Sequence, residues 1–153
     1  MTRLAPRIRE VREGRDEGRI MLLSIGYLLI AMLILTVVVA VTAVFLEHKR
    51  LLDVADRASS AAADSFGAQD VATRGGPYLG DAAVRRAAEN YLTEVNAAAQ
   101  FSEFGILGTT GAPDATTARV SLRAVVHPPL VNFIVPAGIE IEVESDSRIV
   151  LSR

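Results

Sequence analysis

The stretch Ile20–Leu46, IMLLSIGYLLIAMLILTVVVAVTAVFL, decides the fold because it contains no charged residue. A bilayer core is spanned by about 20 apolar residues at ~1.5 Å rise each, and this run would reach roughly 40 Å as a helix. It is therefore predicted to cross a membrane, either tilted or protruding at one end. The buried helix of a soluble protein is the weaker interpretation, since such helices are rarely this long and this apolar.

A cleaved secretory signal is the main alternative for this run. Such signals have an apolar core of about 7–15 residues followed by a small-x-small cleavage site. Here the run is about twice as long and continues into Glu47-His48-Lys49-Arg50, which offers no such site. We therefore expect an uncleaved anchor.

The basic residues that flank the run predict its orientation. Residues 1–19 carry six arginines, whereas Lys49, Arg50 and Arg57 are the basic residues within a comparable distance on the other side. Cytoplasmic flanks are enriched in Lys and Arg. The arm 1–19 is therefore expected in the cytoplasm and residues 47–153 outside it.

The composition of the chain argues against several classes of function. Residues 47–153 carry ten Lys or Arg against fourteen acids and contain no basic stripe, so nucleic-acid binding is not expected. The chain has no cysteine, which excludes disulfides, thiolate metal sites and a cysteine nucleophile.

The first helix is predicted to continue beyond the membrane, because Glu47–Phe66 has no Pro or Gly and is rich in helix formers. Gly67 is a plausible stop. Apolar residues recur at three- and four-residue spacing from Leu51 to Phe66, which gives one stripe of mostly small side chains. The stripe could pack on the chain's own domain or on neighbouring subunits, and the sequence leaves both alternatives open.

Residues 67–153 are predicted to form a small extracytoplasmic α+β domain. After a loop at Thr73–Gly80, Asp81 is the predicted N-cap of a second helix, Ala82–Ala99. Phe101–Leu107 is a possible short strand, and the turn-rich connector Gly108–Thr116 follows it.

The C-terminal part of the chain is predicted to contain strands. Arg119–Val126 alternates like a half-buried strand and ends at His127-Pro128-Pro129. Val131–Val135 is another apolar run. Ile139–Arg153 is read as one long strand, with a hairpin broken at Asp146 as the alternative. The fold class is thus α+β in a pilin-like order: a long membrane helix extending out of the bilayer, a second helix, and a small antiparallel sheet.

The sequence contains no recognisable catalytic set, phosphate loop or metal signature. His48 is expected at the membrane boundary and His127 on the surface. Glu140, Glu142 and Glu144 share one strand face; we interpret them as its solvated side, with a calcium site as the alternative. We therefore expect no enzyme activity, no cofactor, no metal and no small-molecule substrate.

The N-terminal third resembles the TadE/TadG-like proteins of Tad (Flp) pilus assembly. The resemblance rests on Asp16-Glu17-Gly18-Arg19 before the apolar helix and on Lys49–Ala58 with the Ala-rich continuation after it. In that family a basic-Leu-x-x-Ala-Asp-x-Ala-x-x-Ala stretch follows the helix. Its counterparts here are Arg50, Leu51, Ala55, Asp56, Ala58, Ala61 and Ala62.

The resemblance implies a minor-pilin-like or pilus-anchoring part of a secretion apparatus in the bacterial cell membrane. Its partners would be membrane lipid and other pilus or secretion-system subunits that pack on the helix. Pilin-type precursors usually carry a Glu five residues after the cleaved Gly. Here the fifth residue after Gly18 is Leu23, which argues against such cleavage. The alternative function is a membrane-anchored extracytoplasmic ligand-binding or sensing domain.

Overall fold

The computed structural model describes residues 7–65, 78–129 and 135–149, with side chains from Gly18 onward. Three helices and four strands lie in these ranges. The helices are α1 (Arg7–Asp64), α2 (Asp81–Glu94) and α3 (Ala97–Gln100), and the strands are β1 (Ser102–Ile106), β2 (Gly111–Asp114), β3 (Thr117–Val126) and β4 (Ile139–Arg148). The predicted α+β class, with a long apolar N-terminal helix before a small antiparallel sheet, is confirmed.

The chain divides into two compact units, Met1–Val39 and Ala40–Arg153. Helix α1 contributes residues to both. In the first unit its apolar side chains from Ile20 onward are largely exposed. In the second unit its residues from Leu51 onward supply part of a hydrophobic core.

Strand β3 is the centre of the sheet. Its whole length pairs antiparallel with β4, from Thr117 opposite Arg148 to Val126 opposite Ile139. On its other edge β3 pairs with β1 and with β2, which lie end to end along it. Ser121 of β3 faces the gap between β1 and β2. There the Thr110 hydroxyl accepts a hydrogen bond from the Ser121 N–H (3.0 Å) and donates one to the Ser121 carbonyl (3.1 Å).

The apolar face of the sheet packs against the helices of the second unit. Alternate residues of β3 point to this face, as the sequence predicted, and in register with them lie Ile141, Val143 and Ser145 of β4. The main core joins them to Leu51, Ala55 and Ala58 of α1 and to Ala88 and Leu92 of α2. Helices α1 and α2 thus pack on the same face of the sheet.

The second helix differs from its prediction at both ends. Gly80, not Asp81, occupies the N-cap position, and the Asp81 carboxylate accepts a 2.7 Å hydrogen bond from the Ala112 N–H. The helix stops at Glu94 rather than continuing to Ala99, because Asn96 takes a left-handed conformation at φ 52°. The Gln100 side-chain amide donates a 2.7 Å hydrogen bond to the Val95 carbonyl, one of the carbonyls that the end of the helix leaves without a backbone partner.

The strands agree with the sequence except in the connector. Strand β1 falls within the predicted Phe101–Leu107, and β4 runs unbroken through Asp146, so the hairpin alternative is wrong. Strand β2 lies inside the connector Gly108–Thr116, where no strand was predicted. The predicted stop at Gly67, most of the loop Thr73–Gly80, most of the run Val131–Val135 and the last residues of the C-terminal strand lie outside the ranges that the structure describes.

Candidate functional site

The surface of helix α1 is the candidate site, and its first section is apolar and uncovered. The helix from Gly18 to Asp64 contains an 18-residue window with mean hydropathy 3.0, and no residue of this window is buried. Leu28, Leu29 and Leu33 each expose more than 60% of their surface. A helix with apolar side chains all round needs an apolar environment. This section is therefore a candidate membrane span.

Two hydroxyl groups of this section bond to their own helix. Ser24 donates to the Ile20 carbonyl and Thr36 to the Met32 carbonyl, each at 2.9 Å. Such bonds to the carbonyl four residues earlier leave no hydroxyl hydrogen pointing outward. Because hydrocarbon offers no partner to a polar group, this arrangement suits a lipid-facing helix.

The second section of α1 carries the seven residues of the family-type motif. Four of them, Leu51, Ala55, Ala58 and Ala62, are almost completely inaccessible to solvent. Ala61 is half-buried beside them, whereas Arg50 and Asp56 are exposed on the helix surface. The apolar members of the motif thus pack on the chain's own domain, the first of the two alternatives that the stripe left open.

The charged members of the motif lie away from the core. Arg50 pairs with Glu47, one turn earlier, at 3.3 Å. The Asp56 side chain is exposed, but its backbone carbonyl accepts a 2.9 Å hydrogen bond from the Ser59 hydroxyl. The structure therefore does not bring Arg50 and Asp56 together with the buried alanines in one polar site.

Small side chains let α1 approach the sheet closely enough for two hydroxyls to meet. Ser59 Oγ and Ser145 Oγ, both buried, lie 3.0 Å apart. The single hydrogen of Ser59 is used on the Asp56 carbonyl, so Ser145 donates to Ser59. Sequence analysis did not single out Ser59; the signal for it was a serine at helical spacing inside the Ala-rich stripe.

The opposite face of the sheet carries an array of ion pairs. The guanidinium of Arg119 donates two 2.7 Å hydrogen bonds to the Asp146 carboxylate and lies 3.3 Å from Glu144. Arg123 lies 3.5 Å from Glu140. The hydrogen bond from Arg119 holds the pKa of Asp146 below its ordinary value, and Asp146 raises the pKa of Arg119.

The array bears on the alternative of a calcium site at Glu140, Glu142 and Glu144. All three are exposed, and two of them contact arginines. In the part of the chain that the structure describes, no group of three His, Cys, Asp or Glu side chains could hold a metal ion. The solvated interpretation of this face therefore has the better support.

The two histidines line different pockets on the surface of the second unit. His48 is half-buried beside an apolar groove at the base of the domain, and His127 is exposed after the end of β3. The exposure of His127 agrees with the predicted surface position.

A comparison with protein families points to the same helix. Residues 18–65 match the family described as putative Flp pilus-assembly TadE/G-like. No curated protein and no solved structure matches the chain. The match begins at the glycine before the apolar run and ends one residue beyond α1, so it covers both the uncovered section and the section that packs on the sheet. It confirms that the long helix of this chain resembles the TadE/G-like proteins of putative Flp pilus assembly.

Proposed function

We propose that this chain is a non-enzymatic, single-pass membrane component of a Tad/Flp-type pilus assembly or secretion apparatus, in a minor-pilin-like or pilus-anchoring role. The observation that carries the proposal is that the family match at residues 18–65 covers a single helix, α1, whose two sections have different surroundings. Its first section has uncovered apolar side chains, and its second is fixed to a folded domain by Leu51, Ala55 and Ala58.

The uncovered section supplies the surface for partner subunits. Helices associate in lipid through close packing of side chains, since the hydrophobic effect gives no preference for helix over lipid there. Because the buried motif residues are already used within the chain, partners would contact the membrane section of α1 and the exposed side of its continuation. The six arginines of residues 1–19 favour a cytoplasmic N-terminus, with the α+β domain outside the cytoplasm.

Crosslinking in native membranes tests the proposal. A photo-crosslinking residue at exposed Val37 should form adducts with pilus or secretion-apparatus proteins. The same residue at exposed Ala115, in the turn between β2 and β3, is the matched control for contacts that do not involve the helix. If Val37 yields no such neighbour, and deletion of the chain leaves surface pili at their normal level, the proposal is wrong. A role as an anchored ligand-binding or sensing domain would then be the better interpretation.

A further inference from the structure

The end of the domain where β3 finishes and β4 starts carries an open apolar groove. It has a volume of about 520 Å³ and lies within the second unit. One wall is the start of that unit's part of α1, and the other is the base of the β3–β4 pair. The lining residues are Ala40, Val41, Val44, Phe45, Pro128 and Ile139, with His48 at one side.

The apolar character extends beyond the groove itself. Residues 127–139, HPPLVNFIVPAGI, contain no Asp, Glu, Lys or Arg. Val135 and Ile139 are large apolar residues that expose 36% and 38% of their surface. The tip Val135–Ile139 therefore combines exposed apolar surface with an absence of formal charge, and the first charged residue of β4 after it is Glu140, which contacts Arg123.

The other end of the sheet has the opposite character. Around the start of β3 and the end of β4 lie the charged side chains of Asp114, Arg119, Asp146 and Arg148. An uncharged apolar tip suits a domain with that end against a bilayer, because ions are costly in hydrocarbon and apolar surface is costly in water.

We infer that the groove and the adjoining tip, Val135–Ile139, contact the lipid of the membrane that α1 crosses, so that the domain rests on the bilayer surface. The inference rests on the membrane span of the proposed function. Four residues that line the groove, Ala40, Val41, Val44 and Phe45, also belong to the apolar run Ile20–Leu46. Exposed Lys49, four residues after Phe45, would meet the phosphates of the headgroups, whereas Arg50 is paired with Glu47.

The absence of cysteine from the chain makes the test direct, because single-cysteine variants can be labelled at one position. Ile139→Cys reports on the groove, Arg148→Cys at the other end of β4 is the matched control, and Leu33→Cys reports on the span itself. Each full-length variant carries a small fluorophore and is reconstituted in vesicles of phosphatidylethanolamine and phosphatidylglycerol. Quenching is then compared between lipid-attached nitroxide near the headgroup and aqueous iodide. Unchanged thermal unfolding shows that each variant is folded, and Ala137→Cys replaces Ile139→Cys if that variant is not.

The inference predicts that the label at Ile139 loses fluorescence to the lipid nitroxide and is protected from iodide, whereas the label at Arg148 behaves in the reverse way. If the Ile139 label is quenched by iodide and not by lipid, while Leu33 reports hydrocarbon, the inference is wrong and the span stands. If Leu33 is also open to iodide, the span itself is wrong. If the Ile139 label is protected from both quenchers and Ile139→Cys chains crosslink to each other, the inference is wrong. The groove is then covered by a second copy of the chain rather than by lipid.

Discussion

At the scale of single residues, the hydroxyls of Ser59 and Ser145 form a buried polar contact between α1 and β4. Ser59→Ala leaves the Ser145 hydroxyl buried without its acceptor, which should lower the free energy of unfolding by about 1–3 kcal/mol. The double variant, with alanine at both positions, should cost less than the two single costs added together. Unfolding of all four proteins in detergent micelles measures the coupling. Strictly additive costs would show that the two hydroxyls do not interact.

The aspartates at the charged end of the sheet predict how stability depends on pH. The pKa of Asp146 is lowered by the Arg119 hydrogen bond, and that of Asp114 by hydrogen bonds from the Thr116 N–H and from the Thr116 and Thr117 hydroxyls. A carboxylate with a lowered folded-state pKa stabilises the fold above its unfolded pKa, which is about 3.9. This contribution is lost as the pH falls through the folded-state pKa.

Asp146→Asn should therefore lower Tm at neutral pH and reduce the loss of Tm on acidification. Glu142→Gln is the matched control, since it removes an equal charge from the same strand face without touching the Arg119–Asp146 contact. Thermal unfolding from pH 7 to pH 2 measures both variants. An Asp146→Asn protein with the same acid profile as the parent would contradict the stabilising role of this pair.

At the scale of elements, the contact between α1 and the sheet depends on small side chains. Ala58 is completely buried against β3 and β4, so Ala58→Leu would force extra methyl groups into a filled space. Overpacking of this kind costs about 1–3 kcal/mol. Ser60→Leu, on the exposed side of the same helical turn, is the control and should change stability little. Equal stability of the two variants would mean that α1 does not pack on the sheet as described.

Elements with a long, regular period were predictable from the sequence. The apolar run, the Ala-rich continuation and the alternation of β3 and β4 each repeat one local rule over many residues, which tertiary contacts reinforce. The burial of Val120, Leu122 and Ala124 follows directly from that alternation. For the candidate site, the buried stripe of α1 could be predicted in the same way, but not which surface would cover it.

Elements fixed by long-range contacts were not predictable in this way. Strand β2 contains Gly111 and Pro113, which locally favour a turn, and it forms only because the edge of β3 is open to it. Asp81 looks like an N-cap but binds Ala112, 31 residues away. The helix break at Asn96 is not marked by a Gly or Pro in the sequence. The Gln100 side-chain amide stabilises it by a hydrogen bond to the Val95 carbonyl.

At the scale of the whole molecule, the proposed orientation predicts which side of the membrane each part occupies. A cysteine at Ala115, in the β2–β3 turn, should react with a membrane-impermeant maleimide added to spheroplasts. A cysteine at Thr2 should react only after the membrane is opened. The reverse pattern would contradict a cytoplasmic N-terminus, and reaction at both positions in sealed spheroplasts would contradict a single crossing.

The meeting of Ser59 with Ser145 also has a consequence for biosynthesis. These residues are 86 positions apart, so a ribosome working at about 5–20 residues per second completes one roughly 4 to 17 s after the other. Throughout that interval the inner face of α1 has no sheet to cover it. An alanine-rich face exposes little apolar surface on the nascent chain, whereas a leucine-rich face would favour aggregation and binding by chaperones. We therefore expect the composition that allows tight packing in the finished protein also to limit aggregation of the chain during synthesis.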